Sequence, residues 1–129
     1  MNTQIMEEAN TRSLQGTITF GEVVKNLLAE GVESYHADLV RREKTYYMPD
    51  GQTHLEKLNY QGPATARDFS QEAVIAALRT IQKGEINYVE FLNRILKAGC
   101  TQYTVFLQGK KAIYFGRKGE FYVENFPNR

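Results

Sequence analysis

The chain carries two ungapped copies of one pattern, so whatever it folds into must place the same unit twice. Tyr88 to Phe126, moved back 68 positions, falls on Phe20 to Leu58 (84 minus 16, 124 minus 56). Gly84 meets Gly16, Ile86 meets Ile18, Glu90 meets Glu22 and Leu96 meets Leu28. Gly99 meets Gly31, Tyr103 meets Tyr35 and Leu107 meets Leu39. Tyr114 meets Tyr46, Gly119 meets Gly51 and Glu124 meets Glu56. A long unit present only twice is an internal duplication, since a solenoid needs three or more copies.

Each copy reads as two helices and a three-stranded meander. Residues 4–14 form a modest helix with Ile5, Met6 and Ala9 inward, ended at Gly16. Thr19 to Glu22 has the form of a capping box. The next helix carries Phe20, Val23, Val24, Leu27 and Leu28 on one stripe and stops at a left-handed Gly31. Strands follow at 34–40, 44–48 and 52–57, the last two joined through Met48-Pro49-Asp50-Gly51-Gln52. In the second copy Ser70 caps a helix bearing Val74, Ile75, Leu78 and Ile81. Asn87 to Glu90 is a second capping box, ahead of Tyr88, Phe91, Leu92, Ile95 and Leu96 and the terminating Gly99. Strands then fall at about 102–108, 111–116 and 120–125. The expected fold is α+β: one domain, 1–129, of two repeats (about 4–58 and 70–126) joined by a linker at 59–69, with pseudo-twofold symmetry. The pattern leaves open whether the meanders join in one six-stranded sheet or stay as two.

Composition removes several function classes. Sixteen basic against fifteen acidic residues give a net charge of +1, which argues against a nucleic-acid footprint. No apolar run is long enough to cross a membrane, and the acidic N-terminal residues lack the form of a signal peptide. The single Cys100 excludes an intrachain disulfide, and a cytoplasmic location is expected. No phosphate-binding glycine loop or nucleophile elbow occurs, so no cofactor is implied.

Strand parity sorts the remaining side chains. With a three-residue Pro-Asp-Gly loop, Met48 opposes Gln52, and directly opposed residues share a face. One face then carries Tyr35, Ala37, Leu39, Tyr46, His54 and Glu56, and in the second copy Tyr103, Val105, Leu107, Tyr114, Tyr122 and Glu124. This is the face expected to meet the helices. The other carries Phe106, Ile113, Phe115, Phe121 and Val123 in the second copy, against His36, Asp38, Thr45, Tyr47, Thr53 and Leu55 in the first. The apolar set is a candidate interface, and a homodimer is the expected partner arrangement.

The segments GVESYHADLVRREKTYYMPDG and AGCTQYTVFLQGKKAIYFGRKGEFYVE resemble an uncharacterised bacterial domain-of-unknown-function family often labelled "phage envelope protein". The resemblance covers nearly the whole chain. It rests on the Gly-x-x-x-Tyr junctions (Gly31/Tyr35, Gly99/Tyr103) and the Tyr-Phe-Gly-x-x-Gly turn at 114–119. The first copy departs there, reading Tyr46-Tyr47-Met48-Pro49-Asp50-Gly51. The resemblance implies a phage-related origin and carries over no catalytic residue.

Three sets of residues invite chemistry. His36 with Asp38, and His54 with Glu56, are i, i+2 strand pairs, so each presents two metal ligands together. The three-residue loop puts the pairs on opposite faces; a two- or four-residue loop would unite them. Tyr46 with Glu56 and Tyr114 with Glu124, beside His54, make a candidate polar pocket at the sheet–helix junction. The plainer account is a buried tyrosine hydroxyl satisfied by a carboxylate. Basic hairpin tips (Arg41, Arg42, Lys44; Lys110, Lys111, Arg117, Lys118) could meet phosphates, but more often such charges protect strand edges. Cys100 reads as a small buried hydrophobe. The expected function is a non-enzymatic binding or assembly module of unknown ligand. The alternative is a small enzyme or metal-dependent protein using the His, Asp and Glu residues of the first copy.

Overall fold

The computed structural model describes residues 1–127. Its elements run α1 (Thr3–Gln15), α2 (Phe20–Glu30), β1 (Ser34–Asp38), β2 (Glu43–Tyr47), β3 (Thr53–Lys57), α3 (Gln71–Gln82), α4 (Tyr88–Lys97), β4 (Cys100–Phe106), β5 (Lys111–Gly116) and β6 (Phe121–Asn125). The class is α+β, and helix, helix, meander occurs twice in order. The strands form one antiparallel sheet, β3-β2-β1-β4-β5-β6, which answers the question the pattern left open.

The two meanders meet at β1 and β4. Ser34 opposes Phe106, His36 opposes Thr104 and Asp38 opposes Gln102. His36 and Thr104 are equivalent positions of the two copies, so exchanging the copies maps this pairing onto itself. A pseudo-twofold axis therefore passes between them, and His36 Nδ1 and Thr104 Oγ1 share a hydrogen bond of 2.8 Å there.

The turn chemistry sets the register. The Met48 N–H donates to the Gln52 carbonyl at 2.9 Å, and the Gly51 N–H donates to the Met48 carbonyl at 3.0 Å. Gly51 sits at φ +91°, where a side chain would be strained. Tyr46 consequently opposes His54, and Lys44 opposes Glu56. Tyr35, Ala37, Leu39, Tyr46, Tyr103, Val105, Leu107 and Tyr114 are all buried on the side that the helices cover. Among the described residues no helix packs on the opposite side of the sheet.

The helices differ more than their sequences suggest. α4 packs on α1, α3 and β4, whereas α2 packs mainly on α1. Phe91, Leu92, Ile95 and Leu96 of α4 are all buried as expected. On α2 only Val23 and Leu27 are, and Phe20 and Leu28, expected inside, are 45% and 38% exposed. The inner helix buries a wide stripe; the outer one needs a narrow one. The caps differ too. Thr19 and Glu22 complete their box in both directions. Asn87 accepts from the Glu90 N–H, but the Glu90 carboxylate accepts from Asn93 and Arg94 instead, so the second box is only half formed.

Gly31 and Gly99 both end their helices in the left-handed region, at φ +88° and +87°. Their surroundings are unequal. A Cβ on Gly31 would meet only Met48 Cε at 3.9 Å, while one on Gly99 would collide with the Asp68 carbonyl of the linker. The linker is held there by the Ser70 N–H on the Ala98 carbonyl and the Ala66 N–H on the Leu96 carbonyl. Gly31→Ala is expected to destabilise by about 1 kcal/mol. Gly99→Ala is expected to destabilise by clearly more, and urea unfolding of the two variants side by side measures the difference.

Candidate functional site

Lys44 is the residue around which the site is built. It stands where the basic hairpin tip passes into the second strand, and β2 begins one residue before it, at Glu43. Strand alternation then sends it to the helix side with Tyr46. It is 4% exposed. Among the described residues no carboxylate pairs with it. Glu56, directly opposite, is bonded to His54 Nε2 at 2.6 Å instead. The ammonium rests over the Tyr88 ring, 4.4 Å from its centroid, with the Tyr35 ring at 5.9 Å.

This ammonium borders a cavity of about 490 Å³ between the sheet and the helices. Its lining comes in equivalent pairs from the two copies: Gly16 and Gly84, Ile18 and Ile86, Phe20 and Tyr88, Tyr35 and Tyr103, Tyr46 and Tyr114. The cavity therefore lies on the pseudo-twofold axis. The sheet tyrosines form its buried floor. Exposed residues at the N-termini of α2 and α4, including Thr19, Phe20 and Asn87, form its rim, where Phe20 meets Phe126 edge to face at 5.5 Å. One pair breaks the symmetry in charge: Lys44 has Ala112 as its counterpart. Leu78, Ile81 and Phe91 make the helix-side wall apolar. No histidine and no cysteine lines the cavity.

The tyrosines stay neutral. Burial pushes the hydroxyls of Tyr35, Tyr46, Tyr103 and Tyr114 well above the ordinary phenol value. Tyr88 and Tyr103 share a hydrogen bond between their hydroxyls. Tyr35, Tyr46 and Tyr114 make none to other described residues, so three phenolic donors remain free in the lining.

The expected polar pocket is thus rearranged. Tyr46 and Tyr114 line the cavity with Glu124, but His54 and Glu56 lie outside it. Neither tyrosine hydroxyl bonds its expected carboxylate. Glu124 accepts from Arg79 at 2.6 Å, Gln82 at 2.9 Å and Tyr122 at 2.7 Å. Burial raises the Glu124 carboxyl, but these donors outweigh it and hold the group below its ordinary value. Glu124 is taken by Arg79 and Gln82 of α3, which strand parity does not reveal, and Glu56 by His54 of its own strand.

The candidate metal ligands fall on opposite faces of the sheet, as the three-residue loop requires. His36 and Asp38 face the open side. Asp38 Oδ1 accepts from the Val40 and Arg41 N–H groups and shapes the hairpin. Burial lowers the His36 pKa, with the Asp38 charge opposing it. His54 and Glu56 face the helix side, where Glu7 of α1 joins them, with potential ligand atoms within 4.8 Å of one another. Two carboxylates and one imidazole suit a divalent cation. Glu7 was missed because nothing in the strand pattern points to α1.

The interface residues share the open face. Phe121 is 60% and Phe106 36% exposed; Ile113, Phe115 and Val123 are half-buried by neighbours on the sheet. Tyr47 and Leu55 of the first copy are exposed on the same face, so the apolar surface extends beyond the second copy. Several tip cations are engaged within the chain. Arg42 lies over the Tyr60 ring at 4.9 Å, and Arg117 donates to the Thr65 and Ala66 carbonyls. Cys100 is buried, and desolvation pushes its thiol up to about 12.

Comparison with known proteins supplies relatives without a described role. A Mycobacterium bovis protein and a Mycobacterium tuberculosis protein, both named as uncharacterized, are each 32% identical to this chain over 65 residues. The match covers 50% of this chain and 40% of each relative, so the chain spans less than half the length of the curated relatives it matches. No family model matches the chain. No helix among the described residues is long and apolar enough to cross a membrane.

The Glu124 cluster has a pH signature. Its folded pKa lies below the unfolded value, so its stabilisation is complete above the ordinary 4.5 and is lost as pH falls through the folded value. Glu124→Gln is expected to unfold more easily at pH 7 and to show a shallower loss of stability towards pH 3. Thermal unfolding across that range checks it.

Proposed function

We propose that the protein is a non-enzymatic binding module and that its ligand is a small molecule held in the axial cavity. The observation that carries this reading is a cavity of ligand size, about 490 Å³, whose walls are mainly apolar and whose floor carries Lys44 and the sheet tyrosines. Folding gains nothing from leaving such a volume unfilled, since interiors otherwise pack to crystal density. The absence of histidine and cysteine from the lining, and the engagement of Glu124 by three donors, favour holding over chemistry. The neutral fluorophore N-phenyl-1-naphthylamine is expected to bind with a blue-shifted, saturable signal. Ala112→Phe, which fills the floor opposite Lys44, is expected to abolish that signal while leaving the circular dichroism unchanged. Equal binding by wild type and Ala112→Phe would place the probe elsewhere and remove the reading.

The open sheet face favours a second role, in assembly. Phe106, Phe121, Tyr47 and Leu55 form an exposed apolar surface that nothing in the chain covers among the described residues. Full burial of each would contribute roughly 1.5–3 kcal/mol, part of which survives the entropy lost on association. We infer a homodimer through this face. Light scattering at tens of micromolar is expected to show a dimer for the wild type and a monomer for Phe121→Asp. A monomeric wild type would dismiss it.

A further inference from the structure

We propose that the occupant of the axial cavity is an apolar organic monocarboxylate, its carboxylate seated on the Lys44 ammonium. This rests on the cavity being the ligand site and adds the ligand's chemical class. The Lys44 side chain is buried, its ammonium opens on the cavity, and Glu56, opposite it on the next strand, is taken by His54, so the charge has no ion-pair partner among the described residues. The Tyr88 ring, 4.4 Å away, offers its negative face but no counter-charge. An incoming carboxylate supplies that charge.

The hydroxyls around the ammonium point to the same ligand. Tyr35, Tyr46 and Tyr114 line the cavity, are buried, and make no hydrogen bond to other described residues. Held neutral, they are donors, and a carboxylate offers about four lone-pair sites to receive them and the ammonium together.

Charge bounds the ligand from above. Lys44 is the one cation in the cavity lining among the described residues; of the two lining carboxylates, Glu124 is matched by Arg79 at 2.6 Å and Glu85 is exposed at the rim. A phosphate monoester would bring nearly two charges and would call for an arginine fork or a nest of backbone N–H groups. One carboxylate matches one ammonium. The remaining walls set the rest of the molecule: Leu78, Ile81 and Phe91 make the helix side apolar, and the Glu124 that stands opposite Ala112 is occupied by its own donors, so the body is mainly apolar. Because Ala112 replaces lysine in the second copy, the two ends of the axial cavity are unlike, and the ligand has one orientation.

The test is calorimetric titration of the full chain with naphthalene-2-carboxylate and with its neutral isostere naphthalene-2-carboxamide. The wild type is expected to bind the carboxylate roughly tenfold to a hundredfold more tightly, the range for a charge-assisted hydrogen bond. Lys44→Met is expected to lose that preference while still binding the carboxamide, and to melt at a higher temperature when empty. Equal binding of both compounds by the wild type would overturn the monocarboxylate assignment and leave the cavity reading standing, and this comparison needs no variant. Retention of full carboxylate preference by Lys44→Met would overturn it too. Failure of both compounds and of the neutral fluorophore would sink the cavity reading itself.

Discussion

The antiparallel pairing of β1 with β4 is the contact on which the rest of the molecule depends. Each meander alone would be a three-stranded sheet with two raw edges, a marginal object in water. Pairing across His36 and Thr104 turns two such sheets into one of six strands and leaves only β3 and β6 as edges. It also fixes an axis. Whatever stands near that axis on the helix side has an equivalent position in the other copy, which is why the Tyr35–Tyr46 pair is matched by the Tyr103–Tyr114 pair. Large rings in symmetric pairs cannot interdigitate freely across an axis. With α4 drawn in against β4 and α2 left outside, the space above the rings stays open as a cavity. Sequence duplication, strand register and cavity are steps in one chain of cause.

Against that symmetry, Lys44 stands out. The fold does not ask for it, since the equivalent place in the second copy is filled by Ala112, a small apolar side chain buried to the same degree. Burying an ammonium is among the costlier things a sequence can do, and a methionine of similar length would spare that penalty. The Tyr88 ring offsets only part of it. Tyr88 is itself a departure, since its counterpart Phe20 carries no hydroxyl and lies exposed at the rim. Lysine and tyrosine therefore differ from their counterparts in concert, at one end of one cavity, and both changes add polar function where folding alone would favour apolar filling.

How far this was legible in the sequence depends on the range of the interaction. The repeat, the order of elements, the glycine-terminated helices and the strand faces are local signals, repeated twice, and the three-residue turn at Pro49 to Gly51 carried the register correctly. Everything that required knowing which helix lies where was not legible. Phe20 and Leu28 match the stripe of α4 residue for residue, yet they are exposed because α2 is the outer helix. The partners of Glu124 come from α3, and the third member of the His54 cluster comes from α1. Lys44 was the largest loss. Beside Arg41 and Arg42 it looks like a third tip charge, and only its parity with Tyr46, two residues on, could have placed it inside. Charged side chains seldom lie inside a fold, so a lysine at such a position reads as a surface residue.

The two surfaces singled out here lie on opposite sides of one sheet, and strand alternation separates them strictly. Lys44 and Tyr46 face the cavity; Thr45 and Tyr47, their immediate neighbours, face the open side. A dimer formed through the open face would stack two sheets about 10 Å apart, with helices outermost. Both cavity rims, built from the N-termini of α2 and α4, would then point away from the interface. Such a dimer would occlude neither mouth, so binding and assembly are compatible in one molecule. The backbone is nonetheless shared. A ligand that draws Lys44 or Tyr46 inward moves the strand that carries Tyr47, and a partner that clamps Tyr47 stiffens the strand that presents Lys44. The same holds for β4, which carries Tyr103 and Phe106, and for β5, which carries Tyr114 and Phe115, so the sheet backbone as a whole joins the two surfaces.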